Sequence, residues 1–210
     1  MNELVEGLRK RGYWVQVEED ELILDHHYII IEFYTLLEIL DFVGISFEKG
    51  TKGIRVFKDS ITQEKLEMIK TLPKGAQLSI LPKEKEFEPI GYYNGTYNLN
   101  VLELHPSVAA LVYSLNKVGF FTYSSKVNDH QLIIRSLYKD HVETINLVLN
   151  KAKEFIHLTY DWKTNLIDQG YVLEVAYVDE SLIQEDSYLL ANFFIQCFPS
   201  ISEEELEQWN

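Results

Sequence analysis

"GLRKRGYWV", residues 7–15, and "SLNKVGFFT", residues 114–122, are written on one plan. Leu8 corresponds to Leu115, Lys10 to Lys117, Gly12 to Gly119, Tyr13 to Phe120 and Trp14 to Phe121, all at one constant offset. In each stretch an amphipathic run ends in glycine, the residue that closes helices in a left-handed conformation, and an aromatic pair suited to a strand follows. With three residues inserted, "ELIL" (21–24) then aligns with "QLII" (131–134). The pattern reads as an internal duplication. The expected fold class is therefore α+β: two related α-β-β-α-β halves forming a pseudo-duplicated unit, with an acidic helical C-terminal extension.

Cap and turn residues divide the rest. Asn2 can cap a helix carrying Leu4, Val5 and Leu8, while Thr35 with Glu38, and Ser60 with Gln63, have capping-box spacing ahead of apolar runs. Strands are expected in "YWVQV" (13–17), "ELILDHHYIIIEF" (21–33), "GIRVF" (53–57) and "AQLSIL" (76–81). Residues 82–100 lack helical periodicity and contain Asn94-Gly95, a hairpin-turn pair, so the boundary between the halves is placed there. In the second half Pro106 stands where a first-turn proline belongs, and Asp140 with Glu143 can cap a further helix. Strands are expected at 120–124, 131–136, 155–160 and 171–178, a helix around 187–198, and a short helix after Ser202. The domains expected are 1–81, a connecting segment 82–102, 103–180, and the acidic extension 181–210.

A chain of 210 residues, 46% hydrophobic and 13% aromatic, has enough apolar mass for a core without disulfides. Its single cysteine, Cys197, excludes an intramolecular disulfide and a cysteine-based zinc cluster, and its apolar neighbours suggest burial. The charged N-terminus lacks the apolar core of a signal peptide, and no 18-residue apolar run occurs, which points to a cytoplasmic protein that does not engage membranes. A net charge of −14 argues against nucleic-acid binding, which needs clustered cations to displace counterions. After Lys163 there are ten acidic residues and no Lys or Arg. Such a tract is either a solvated face or a docking surface for a basic protein, with Glu203, Glu204, Glu205 and Glu207 its densest part.

The chemistry-bearing patterns are sparse. "LNKVGFFTYSS" (115–125) resembles a group of small bacterial and phage proteins in which a helix ends in Leu-Asn-x-x-Gly, a strand carries Thr, and a Ser-Cys-x-Gly-His segment follows; a similar corner occurs in the wybutosine-synthesis methyltransferase family. The resemblance spans about thirty residues. Here Ser125 stands at the cysteine position, and Lys126-Val127-Asn128-Asp129 replaces the glycine turn before His130, so a thiolate is absent. Asn116, Thr122, Ser124, Ser125 and His130 are the candidate ligand-binding residues of that corner; a serine–histidine catalytic pair would also need an orienting acid and oxyanion donors that the spacing does not supply. Asp25-His26-His27, with Glu32 beyond, is the best metal-like cluster, and Glu103 with His105 a second pair. If 21–33 is a strand, alternation sends the adjacent histidines to opposite faces, so no metal site is assigned. "KGTKG" (49–53) lacks P-loop spacing, and no cofactor is called for. The reading favoured is a non-enzymatic interaction protein. A ligand-binding or enzymatic pocket at Asn116–His130 and a nucleic-acid mimic are the alternatives.

Overall fold

The computed structural model describes residues 1–78, 99–128, 130–136, 139–167 and 170–198. The chain forms two compact units, 1–106 and 107–210. Unit 1 runs α1 (Asn2–Arg11), β1 (Val15–Glu18), β2 (Glu21–Leu24), α2 (Ile30–Phe42), β3 (Phe47–Lys49), β4 (Ile54–Val56) and α3 (Gln63–Lys70). Unit 2 opens with α4 (Pro106–Lys117) and continues with β5 (Thr122–Asn128), β6 (Gln131–Ser136), α5 (Val142–Phe155), β7 (Lys163–Ile167), β8 (Gly170–Ala176) and α6 (Glu180–Cys197). Each unit has one four-stranded antiparallel sheet, ordered β1-β2-β4-β3 in the first and β5-β6-β8-β7 in the second. Two hairpins joined by a helix thus lie side by side through their inner strands, and a further helix closes each unit. Among the described residues the order of α-helices and strands in both is α-β-β-α-β-β-α, one strand and one helix longer than the expected half. Among the described residues no helix is long and apolar enough to cross a membrane.

The paired glycines set the first corner of each unit. Gly12 has φ 102°, with its N–H donating to Arg9 O at 2.9 Å and that of Tyr13 to Leu8 O at 2.9 Å. Gly119 has φ 90°, with its N–H donating to Asn116 O at 3.1 Å and that of Phe120 to Leu115 O at 2.8 Å. The acceptors are the residues that correspond at the sequence offset. Reversing the chain this tightly lets the helix and the following strands share a core: Leu4, Leu8, Leu22, Leu36 and Ile54 are buried in unit 1, and Leu115, Leu132, Ile134, Leu149, Leu173 and Phe194 in unit 2. Each such side chain contributes about 1.5–3 kcal/mol.

Several expectations are corrected. The apolar run 21–33 is not one strand: β2 stops at Leu24, Asp25–Tyr28 form a turn, and α2 begins at Ile30. The turn is fixed locally, with the His27 N–H donating to Asp25 Oδ1 at 3.0 Å, and by the Tyr28 hydroxyl, which receives the Trp14 N–H at 3.0 Å and donates to Gly12 O. Thr35 therefore lies inside α2, donating to Ile31 O at 2.9 Å, instead of capping it. Thr62, not Ser60, caps α3, accepting the Lys65 N–H at 3.4 Å. The expected strand 155–160 is the end of α5 and a loop, and β3 and β7 fall outside the expected strands. Residues 76–78 are not in a strand, and 79–81, the Asn94-Gly95 hairpin and the helix after Ser202 lie outside the described residues. Helix α6 starts at Glu180 and buries Ile183, Leu190, Ala191 and Phe194, so 180–197 is a core helix of unit 2 and not an appendage. Cys197 is exposed.

Candidate functional site

The loop between α5 and β7 has no ladder of its own, and a side chain supplies its hydrogen bonds. Asp186 sits on the inward stripe of α6 and is buried. Its Oδ1 accepts the Thr159 N–H at 2.8 Å, and its Oδ2 accepts the Tyr160 N–H at 2.9 Å and the Trp162 indole N–H at 3.3 Å. A carboxylate taking three donors in a low-dielectric surrounding holds the loop firmly. Tyr160 passes that constraint on: its hydroxyl accepts the N–H of Asp179 at 3.0 Å and of Val178 at 3.4 Å, and its ring meets Tyr177 edge-on at 6.4 Å. Tyr177 in turn packs against His130 at 6.2 Å and donates its N–H to His130 O at 2.9 Å. One end of unit 2 is thus tied together from the loop, the residues after β8 and the tip of the β5–β6 hairpin.

A shallow depression of about 310 Å³ lies on this end, lined by Lys153 and the loop from Ile156 to Asp161. Apolar groups stand beside it in water: Phe155 is 68% exposed and Val178 80%. Leu182, 44% exposed, follows on α6. The charges around it are ordered. Asp161 pairs with Lys153 at 2.7 Å and Lys163 at 3.3 Å, contacts that hold its carboxyl below the usual range. Asp179 caps α6, and hydrogen bonds from the Ser181 hydroxyl and backbone, with the Leu182 N–H, depress its carboxyl likewise. Glu180 is exposed beside it.

The residues expected at the corner after α4 are dispersed. The Asn116 side chain donates to Val112 O at 2.7 Å and to Thr122 Oγ1 at 2.8 Å and accepts the Thr122 N–H at 3.1 Å, so it splices the helix end to the start of β5. Ser124 and Ser125 lie mid-strand on edge strand β5, opposite Arg135 and Ile134. His130 occupies the hairpin tip with φ 62°, beyond the end of β5 at Asn128, and the strand from Ser125 to Asn128 alone covers roughly 10 Å. Ser125 and His130 are therefore not brought together, and Asn116 is at the other end of β5 from His130. Glu203, Glu204, Glu205 and Glu207 lie outside the described residues.

In unit 1 the turn changes the metal argument. Asp25, His26 and His27 each offer a ligand atom within 4.8 Å of the others, because the segment is a turn and strand alternation does not apply. Glu32, Glu103 and His105 are not in that group. Glu32 is buried; its Oε1 accepts the Val101 N–H at 3.3 Å, and burial pushes its carboxyl up to about 7. Arg11, also buried, donates to the carbonyls of Leu72 at 2.8 Å and Val101 at 3.1 Å, a structural use of its guanidinium.

Sequence reasoning passed over Asp186, Tyr160, Phe155 and Val178. One signal for Asp186 was present: it interrupts the apolar stripe Ile183, Leu190, Phe194 at helical spacing, and an acid there must be paired or hydrogen-bonded. No protein-family model matches the chain, and neither a curated protein nor a solved structure matches it.

Proposed function

We propose that the chain is a non-enzymatic binding protein that captures a segment of a basic protein partner on the end of unit 2 formed by residues 155–161 and 178–182. The observation that carries this reading is the pair Phe155 and Val178, exposed apolar side chains beside a depression whose loop is already locked by Asp186. Apolar groups held on a fixed backbone lose little ordering entropy when a partner covers them. The sign of the partner's charge follows from Asp179 and Glu180 at this end and from the acids beyond Lys163, where no Lys or Arg occurs. Such charge speeds encounter and selects partners more than it adds affinity. The carboxylates here are engaged in holding the fold: Asp186 and Asp179 accept backbone donors and Asp161 pairs with lysines.

The test is selection of binders from a random peptide library on the immobilised full chain. Selected peptides should combine Lys or Arg with a large apolar anchor, bind less tightly as salt rises, and lose at least tenfold in affinity against a Phe155→Ser/Val178→Ser variant. Replacing Glu203, Glu204, Glu205 and Glu207 by Gln should slow association. A library yielding no binder, or binders indifferent to both salt and the double substitution, would overturn the proposal.

A further inference from the structure

The turn joining β2 to α2 in unit 1 places two imidazoles and a carboxylate side by side. Consecutive residues of a strand diverge, but His26 and His27 turn their rings to within 4.2 Å of each other, centroid to centroid, with 38° between the planes. His27 is buried and held: its Nδ1 lies 2.5 Å from Asp25 Oδ1, the same oxygen that accepts the His27 N–H. A histidine fixed through one ring nitrogen by a carboxylate offers the other as a basic, oriented ligand, the arrangement that supports metal-bound histidines. Asp25 is buried as well, and His26 is the exposed residue of the three.

We propose that Asp25, His26 and His27 form a binding site for one divalent transition-metal ion of the imidazole-preferring class, Zn²⁺, Ni²⁺ or Cu²⁺. Both histidines ligate it, and Asp25 orients His27 and offsets the ion's charge. Imidazole nitrogen selects these ions over Mg²⁺ and Ca²⁺, which prefer oxygen shells. Ligand atoms around a tetrahedral ion stand about 3.4 Å apart, from bond lengths of about 2.0–2.1 Å. One ligand atom from each of Asp25, His26 and His27 lies within 4.8 Å of the others, near enough for small side-chain rotations to bring both imidazoles onto one ion. Water completes the shell on the solvent side. The bound ion would tie His26 to His27 and stiffen the turn between β2 and α2, which the Asp25 and Tyr28 hydrogen bonds already shape.

Isothermal titration of the full, tag-free chain with Zn²⁺ and with Cu²⁺, and with Mg²⁺ as the contrasting probe, tests this. One equivalent of Zn²⁺ or Cu²⁺ and no Mg²⁺ should bind. His26→Ala, at an exposed position, should leave the metal-free melting temperature unchanged and weaken binding at least tenfold. Asp25→Asn keeps an oxygen for the turn but removes the charge, and should weaken binding about tenfold. Electron paramagnetic resonance of the Cu²⁺ form should show two coordinated imidazoles in the parent and one in His26→Ala. Absence of saturable binding, or equal binding and an unchanged spectrum in both variants, would overturn the assignment by placing the ion on other histidines or nowhere.

Discussion

The indole N–H of Trp162 donates to the carboxylate of Asp186 at 3.3 Å, and the same carboxylate takes the backbone N–H groups of Thr159 and Tyr160, so one residue of α6 sets the path of the whole loop before β7. Removing it orphans three donors, one on a tryptophan that is itself buried. Asp186→Ala should destabilise the protein by about 3 kcal/mol, since lost bonds to a charged acceptor cost about 1.5–3 kcal/mol each and water recovers part of the loss. Asp186→Asn should cost less, because its carbonyl oxygen still serves one or two donors. Urea unfolding of the two variants checks the order; equal midpoints would remove Asp186 from the account of this loop.

The matched caps of α1 and α4 allow a comparative test. Gly12 and Gly119 both have positive φ and each donates to the third residue before it. Alanine at either position meets the left-handed penalty, about 1 kcal/mol. We expect Gly12→Ala and Gly119→Ala to lower stability by similar amounts, because the two caps have the same geometry. Thermal or urea denaturation of both variants measures it, and a neutral substitution at one site alone would set the two corners apart.

Those corners were legible in the sequence because a glycine between an amphipathic helix and an aromatic strand is a local signal, and the local signal agrees with the tertiary outcome. The extent of β6, residues 131–136, is legible from its β-branched run. The run 21–33 misled because "YIIIEF" has strand propensity, while its fate was decided by distant groups: Tyr28 anchored on Trp14 and Gly12, and Phe33, Leu36, Leu37 and Leu40 buried on α2. Propensity is a weak prior against such packing. Strand β3, "FEK", is three residues long and carries no pattern that could be read. The candidate site failed similarly. Asn116 is polar at a corner and so suggests chemistry, yet it works as a splice, and "FIHLTY" (155–160), which holds His157 and Tyr160 in a loop, has the composition of a strand.

Asn116 separates a ligand-binding role from an architectural one. Its amide makes three hydrogen bonds at a buried position, to Val112 and Thr122. Asn116→Ala should cost about 2 kcal/mol, and Asn116→Asp should also destabilise, because a carboxylate cannot donate to the Val112 carbonyl or to Thr122 Oγ1. Chemical denaturation reads both. Variants as stable as the parent would return Asn116 to the list of residues kept for a ligand.

Two buried carboxylates of unit 1 titrate in opposite directions and should shape stability against pH. Glu21 accepts the N–H groups of Lys52 at 2.7 Å, Thr51 at 3.0 Å and Gly53 at 3.0 Å, with Arg55 at 3.1 Å, and these contacts, the Lys52 and Thr51 amides foremost, hold its carboxyl down at about 2 from an ordinary 4.5. A depressed carboxyl stabilises the fold above its unfolded value, so this contribution is complete above about pH 4.5 and disappears as the pH falls through 2. Glu32 is the reverse case: burial raises it to about 7, so the folded state binds its proton more tightly, and stability declines as the pH rises from about 4.5 through 7. The full decline corresponds to about 3 kcal/mol, from 1.36 kcal/mol for each pH unit of difference. Stability should therefore peak near pH 4.5–5, on the acid side of neutrality, where Glu21 is ionised and Glu32 is still protonated. Glu32→Gln retains an oxygen for the Val101 N–H and should flatten the slope above pH 5, whereas Glu21→Gln should flatten the slope below 4.5 and leave the upper one alone. Urea midpoints of the parent and both variants from pH 3 to 8 resolve the two limbs. A parent curve that rises steadily from pH 5 to 8, or a Glu32→Gln curve parallel to it, would mean that Glu32 is ionised in the folded protein, its charge balanced by Arg11.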